Sequence, residues 1–416
     1  MSDLEALREA ARTAYVFTLP LIEIATTRSR GLAVGSPMNT FGHMRRLADH
    51  NARAVTTPNN DTFYSTAQVD LSDGPVSLTL PPSGDRYLSV QFMDAYSNTF
   101  ALLGTRTTGG EGGTYTLVGP GDAASPGPRV LRAPTRHVWV LARILVAGPE
   151  DAADAKAVQM GLSMQGPATA DPGAFAHRGA DWRDYLASAA ELVRLNPPPA
   201  TDGQVLARMA PLGLEAFDPD RFSPEEAAAI AEGLEAGRRF GRSAGGLTGP
   251  SFIDGWSYPD GRLGNFGQNY ALRAAVAVGG LAALPPEEAM YMRAEGDLPR
   301  NLFDGGRNWR LHFAADGMIP VDSFWSLSLY EATEDGQFFF TRNDLNRFAI
   351  GDRTPGLTYN PDGSLDIWIG AASPGVERES NWLPAPEGPF ALFMRAYLPR
   401  PELLDGRWRL PPVEPA

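Results

Sequence analysis

Apolar residues in this chain recur at two different periods, and the period changes at three places. Leu4, Leu7, Ala11, Ala14 and Tyr15 follow helical spacing, with Ser2 or Asp3 available as a cap. Pro20 is expected to kink this helix or to separate it from Ile22–Arg30. Residues 31–58 have no clean period and read as loop with short helical turns. From Asn59 the period becomes two. Val76, Leu78 and Leu80 share one face, Leu88, Val90 and Phe92 share another, and His137–Val146 continues the pattern. Residues 150–295 revert to helix, with an apolar stripe from Trp182 to Val193 that ends at Asn196-Pro197-Pro198-Pro199. Ser223-Pro224-Glu225-Glu226 spells a capping box, and Asn269–Leu284 is apolar nearly all round. From Asn308 strands return, with turns at Glu334-Asp335-Gly336 and Asn360-Pro361-Asp362-Gly363, and Phe390–Leu398 as the last long strand. The chain is therefore α+β with antiparallel sheets. It divides into an N-terminal helical segment (1–44), a first β domain (45–150), a helical connection (151–299) and a second β domain (300–416).

The two β regions resemble each other. Tyr87-Leu88-Ser89-Val90-Gln91-Phe92-Met93-Asp94-Ala95 lines up with Phe324-Trp325-Ser326-Leu327-Ser328-Leu329-Tyr330-Glu331-Ala332. Val138–Val146 and Phe390–Leu398 each carry a lone cation, Arg143 and Arg395, in an apolar strand. Related topology and chance similarity between apolar strands are both open at this point.

Further strings point to a family. Pro58-Asn59-Asn60-Asp61-Thr62-Phe63-Tyr64-Ser65, Asp94-Ala95-Tyr96-Ser97-Asn98 and Leu103-Gly104-Thr105-Arg106 resemble the N-terminal domain-of-unknown-function family 1254. Phe324-Trp325-Ser326, Asp362-Gly363-Ser364, Asn381-Trp382-Leu383-Pro384-Ala385-Pro386 and Arg395-Ala396-Tyr397 resemble its usual C-terminal companion, family 1214. The resemblance covers roughly 45–150 and 300–415. It implies two jelly-roll-like β-sandwich domains joined by helical segments, similar to two-domain glycoamidase sandwiches, and it implies no settled activity. Many relatives carry a secretion signal, and this chain departs from them there.

Composition removes several chemistries. There are no cysteines, which excludes disulfides, thiolate catalysis and cysteine-held metals. Lys156 is the lone lysine, so Schiff-base or P-loop chemistry would have to use it. The net charge of −13 argues against nucleic acid as partner. Asp3, Glu5 and Glu9 are unlike the basic start of a secretory signal, and Tyr15–Ile22 is too short to span a membrane. The expectation is a cytoplasmic chain that binds no membrane. His43, His50, His137, His177 and His312 form no close ligand pair, so no metal site is expected.

The candidate site residues are polar groups beyond what turns require. Asn60, Asp61 and Tyr64 precede and open a strand, with Asp61 as general base or ligand-binding carboxylate; the bland reading is an Asx-turn. Asp94 ends a strand, with Asn98 and Arg106 beyond it. Asp61 and Asp94 could form a carboxylate pair, or Asp94 could hold Arg106 in an ion pair. Arg143 lies on a mostly apolar strand face and needs an anion or carbonyls; Asp61, Asp94 or a substrate carboxylate would serve. Trp382, in a proline-rich loop, and Trp368 are candidate stacking surfaces for a sugar ring. The expected function is a cofactor-free enzyme, a hydrolase in its simplest form, using acid–base chemistry. Asp61, Tyr64 and Asp94 would be catalytic, and Asn60, Asn98, Arg106, Arg143 and Trp382 would bind a small polar or carbohydrate-like substrate between the domains. The alternative is a non-catalytic glycan- or metabolite-binding protein. A second copy of the chain is the one macromolecular partner envisaged.

Overall fold

The computed structural model describes residues 2–170, 172–243, 248–294, 296 and 302–416. It is an α+β protein with four sheets and seven α-helices among these residues, and no sheet closes into a barrel.

Helix α1 runs unbroken over Asp3–Ala33, capped by the Ser2 side chain, which accepts from the Glu5 N–H. Pro20 lies inside it and does not separate it from Ile22–Arg30, separation being one of the two outcomes expected from sequence. An interior proline costs a helix about 3 kcal/mol. Here Phe17, Leu19, Leu21 and Ile22 are all buried, so packing outweighs the one lost hydrogen bond. Helices α2 (Ala152–Gly161), α3 (Trp182–Leu195), α4 (Gly203–Met209), α5 (Pro224–Ser243) and α6 (Tyr270–Gly279) follow. The expected capping box opens α5: Ser223 N–H donates to Glu226 Oε2 at 2.8 Å, and Glu226 N–H to Ser223 Oγ at 3.3 Å. Helices α1, α3, α4, α5 and α6 share one core that includes Leu7, Phe17, Tyr185, Leu192, Leu234 and Ala274. No helix among the described residues is long and apolar enough to cross a membrane.

The first β unit contains β1 (Thr62–Asp70), β2 (Val76–Leu80), β3 (Leu88–Asp94), β4 (Thr99–Gly104), β5 (Gly113–Val118), β6 (Val130–Arg132), β7 (His137–Leu145) and β8 (Ser163–Gln165). They form sheets in the orders β1-β7-β3-β4 and β6-β5-β2-β8, with Gly42–Met44 added beside β1. The second unit contains β9 (Ala289–Ala294), β10 (Trp309–Phe313), β11 (Trp325–Ala332), β12 (Phe338–Phe339), β13 (Leu365–Gly370), β14 (Trp382–Pro384), β15 (Pro389–Tyr397) and β16 (Val413–Pro415). Its orders are β9-β15-β11-β12 and β14-β13-β10-β16. Each of these eight strands occupies the place of the strand eight earlier; the short strands Phe303–Asp304, beside β15, and Ala349–Gly351, beside β11, are additions of the second unit. Even the exceptions agree: β5–β6 and β13–β14 are parallel pairs. The two sheets of each unit share a hydrophobic core, one around Val90, Leu117 and Val140, the other around Leu327, Ile367 and Leu392.

Residues 150–295 are less uniformly helical than their pattern suggests. Ser163–Gln165 pairs with β2, and Thr248–Ile253, Trp256–Pro259 and Ala289–Ala294 all join the larger sheet of the second unit. Strands of three to six residues offer too few positions for period two to stand out. The strand Gly42–Met44 was hidden within the expected loop 31–58 for the same reason.

Helices α1 and α5 approach at glycines. A Cβ on Gly233 would lie 2.1 Å from the Arg8 carbonyl oxygen, whereas one on Gly241 would meet Leu19 at 3.5 Å. Helix propensity alone favours alanine by about 1 kcal/mol. Gly233→Ala is nonetheless expected to destabilise by roughly 1–3 kcal/mol through overpacking, and Gly241→Ala to be neutral or stabilising. Urea unfolding of the two variants checks this contrast; equal behaviour contradicts it.

Candidate functional site

Each larger sheet has a core face and a second face. On β7, Val138, Val140, Ala142 and Ile144 enter the core, so period two turns Arg143 to the other side. On β15, Leu392, Met394 and Ala396 enter the core, and Arg395 turns away. Both arginines are buried, because the second faces of the two sheets are packed beneath a shared layer. Tyr87, Phe324 and Tyr397 form its aromatic centre, with Phe324 and Tyr397 stacked at 4.0 Å.

The surroundings of the two arginines repeat. Arg143 is opposite Tyr64 and Ser89 in the ladder, and Arg395 is opposite Tyr291 and Ser326. Each guanidinium lies over that tyrosine ring, at 5.7 Å from Tyr64 and 5.4 Å from Tyr291. Arg143 Nη1 donates to Gln91 at 2.9 Å, and Arg395 Nη1 donates to Ser328 at 2.7 Å. Gln91 and Ser328 are the equivalent positions of the sequence repeat. The remaining bonds go to the Ala282 carbonyl from Arg143, and to the Tyr330 hydroxyl and Thr57 carbonyl from Arg395. All these partners are neutral. The Nε of each guanidinium is buried without a hydrogen-bond partner. Burial raises the phenol pKa of Tyr291 and Tyr397, so both stay neutral hydrogen-bonding groups.

The segment Thr56–Asp61 straps one unit to the other. Tyr330 Oη donates to the Pro58 carbonyl at 2.6 Å, and Asn59 Nδ2 donates to Tyr397 Oη at 2.7 Å. Asn59 Oδ1 also receives the Asp61 N–H at 2.6 Å, the Asx-turn of the bland reading. Asp61 is 5% exposed and is held from the second unit: Ser326 Oγ donates at 2.6 Å, and Arg353 Nη2 lies 3.4 Å away. Its partner is thus Arg353, and Arg143 has no bond to it. Beside it, Asn60 Oδ1 and Thr62 Oγ1 are buried without hydrogen-bond partners.

Asp94 and Asn98 belong to a different place. Asp94 accepts the Tyr96 and Asn98 N–H groups at 2.9 Å each and the Asn98 amide at 3.1 Å. That is a loop lock, and burial raises its pKa. Arg106 does not pair with Asp94. Its Nε donates to Glu288 at 2.7 Å, and Glu288 also accepts from Tyr87 Oη at 2.9 Å. Trp382 sits beside Trp368 in the β13–β14 ladder and donates its indole N–H to the Gly370 carbonyl, away from the strap. Trp325 is core. No group of three His, Asp or Glu side chains gathers for a metal among the described residues.

Sequence reasoning missed Glu288, Asp352 and Arg353. Burial pushes the Asp352 carboxyl up to about 6, with adjacent Arg353 working against it. Its side chain keeps 29% exposure, so it can exchange protons with solvent. Arg353 stacks on Phe324 at 4.0 Å and reaches both Asp352 and Asp61 at 3.4 Å. The adjacent charges Asp352-Arg353 after the apolar Ala349-Ile350 were the available signal.

Two family models match the chain. Residues 38–166 match the model of a family described as a protein of unknown function, DUF1254, and residues 288–401 match DUF1214, described in the same words. The chain carries this pair in N- to C-terminal order. The first match runs from before Gly42–Met44 through β8, and the second from the start of β9 past β15. The crystal structure of the VPA0106 protein from Vibrio parahaemolyticus aligns over 100% of both chains, at 23% identity and a TM-score of 0.76, and shows a shared fold. A putative uncharacterized protein from Burkholderia cenocepacia aligns over 99% of this chain and 94% of its own, at 13% identity and a TM-score of 0.45. No curated protein matches.

The strap geometry sets the cost of altering Asp61. Hydrogen bonds to charged groups contribute about 1.5–3 kcal/mol, and Arg353 keeps Asp352 as a second partner. Asp61→Asn is expected to lose roughly 1.5–3 kcal/mol, less than the 3–5 of a fully buried pair broken on one side. A double-mutant cycle with Ser326→Ala should give a coupling above about 0.5 kcal/mol. Additive losses in urea unfolding contradict the Ser326–Asp61 bond.

Proposed function

We propose that the chain is a non-catalytic binding protein for a small carbohydrate-like metabolite with an anionic group, held in the layer between its two β units. The observation that carries this reading is the set of buried open valences there: Arg143 Nε, Arg395 Nε, Asn60 Oδ1 and Thr62 Oγ1. Buried polar groups in folded proteins are almost always paired, so such a set fits a polar guest. Two guanidiniums bonded to neutral groups supply charge for an anion. Tyr64 and Tyr291 supply rings, and the Asp61 carboxylate is already engaged by Ser326 and Arg353. The same proposal reads each β unit as a jelly-roll-like sandwich, since its two sheets share one core. In a thermal-shift panel, sugar acids should raise the melting temperature more than neutral sugars do. Arg143→Met and Arg395→Met should remove that rise. A panel in which no sugar acid stabilises the wild type contradicts the proposal.

A second reading keeps turnover, favoured by the Asp352 carboxyl. A solvent-reachable acid with a pKa near neutrality, one arginine away from a fixed carboxylate, is the arrangement of an acid–base pair. In it Asp352 moves the proton, and Asp61 helps hold Arg353 in place. The sign for stability follows from the raised pKa. The contribution of Asp352 is full below its unfolded value near 4 and is lost as pH rises through about 6. Asp352→Asn should therefore gain stability over wild type at pH 8 relative to pH 4. Carboxyl NMR titration placing Asp352 below about 4.5 removes this reading.

A further inference from the structure

A cavity of about 420 Å³ opens among the helices, remote from the strap. Its size falls within the roughly 300–1,000 Å³ usual for small-molecule sites. Helix α1 contributes Arg12 and Phe17, α4 contributes Arg208, α5 contributes Phe240, and α6 with the loop before it contributes Tyr270 and Gln268. The wall is aromatic. Phe17 and Tyr270 meet edge to face at 5.4 Å. The Tyr270 hydroxyl is occupied by Asp202 at 2.7 Å, so the ring is what this residue offers.

The electrostatics differ from the rest of an acidic chain. Arg12 and Arg208 are exposed at the cavity; Glu9 also lines it and pairs with Arg12 at 3.3 Å, which leaves Arg208 as the cation facing it without a carboxylate in the lining beside it. Behind the wall lies a third cation, Arg273, 2% exposed and within 5.1–5.2 Å of the ring centroids of Phe17, Tyr96 and Tyr270. Its Nε and Nη2 are buried without hydrogen-bond partners. Asp94 and Asp202 lie close enough to act on this guanidinium and offset its charge, so the anion-facing cations are the two at the mouth. The cavity thus combines flat apolar walls with two forked donors at its mouth. Flat walls suit a ring, and forked donors suit a carboxylate held by two parallel bonds.

We infer that this cavity is a second ligand site, taking a planar aromatic carboxylate whose ring lies against Tyr270 and Phe240 and whose anionic group meets Arg12 and Arg208. It is separate from the layer between the β units. No residue is shared, so the two sites can be tested apart.

Naphthalene-2-carboxylate is a suitable probe, with its carboxamide as the neutral isostere. Binding to the full chain is measured by calorimetry. The carboxylate should bind at least tenfold more tightly than the amide. Arg208→Gln and Arg12→Gln, both at exposed positions and checked for folding by circular dichroism, should each weaken it several-fold, and the double variant at least tenfold. The inference is overturned by the absence of carboxylate binding, by equal binding of the amide, or by an affinity that survives the double variant.

Discussion

Two guanidiniums buried on the second faces of two sheets decide how this molecule closes. A charge taken out of water costs several kcal/mol unless hydrogen bonds replace its hydration. Arg143 and Arg395 meet that cost with amide, hydroxyl and carbonyl oxygens and with tyrosine rings, and some of these come from outside their own unit. Thr57, on the strap from the first unit, serves Arg395 in the second. The aromatic centre of Tyr87, Phe324 and Tyr397 then fills the space between the faces. A polar layer of this kind holds two halves together while keeping one register, because every displacement leaves a buried donor unmatched.

The repeat explains why the layer is so regular. Eight strands in one order, laid down twice, place Tyr64, Ser89, Gln91 and Arg143 where Tyr291, Ser326, Ser328 and Arg395 stand in the second copy. Divergence is concentrated at the strap. Ser326 bonds to Asp61, whereas Ser89 has no such carboxylate, and Arg395 reaches Tyr330 and Thr57 where Arg143 reaches Ala282. The scaffold is symmetric and the polar contents are not, which gives the two faces different chemistry on the same frame.

Much of the frame was legible in the sequence. Period-two runs marked most of the long strands, and the alignment of Ser89 with Ser326 and Arg143 with Arg395 is reproduced by the ladder registers. The capping box at Ser223 stands as spelled. Short strands such as Ser163–Gln165 were not legible, because three residues carry no period. Pro20 does not separate the helix, because packing on α1 exceeds a local cost. For the site, sequence picked out Asp61 and Arg143 as residues with unmet needs, and both sit at the layer between the units. It could not pair them, because Asp61 is joined to residues 265 and 292 positions away, Ser326 and Arg353, by tertiary packing alone. Asp94 and Arg106 were near neighbours in sequence and still found separate partners, each drawn to the buried donors or acceptors closest in space.

The central claim is that the polar layer makes the two β units one cooperative structure. Native-state hydrogen exchange as a function of urea tests it directly. The account predicts that the most protected amides of β7 (His137–Leu145) and β15 (Pro389–Tyr397) open with the same free energy and the same urea dependence. Amides of one strand exchanging freely while those of the other remain protected would contradict it, since the buried arginines would then not bind the units together.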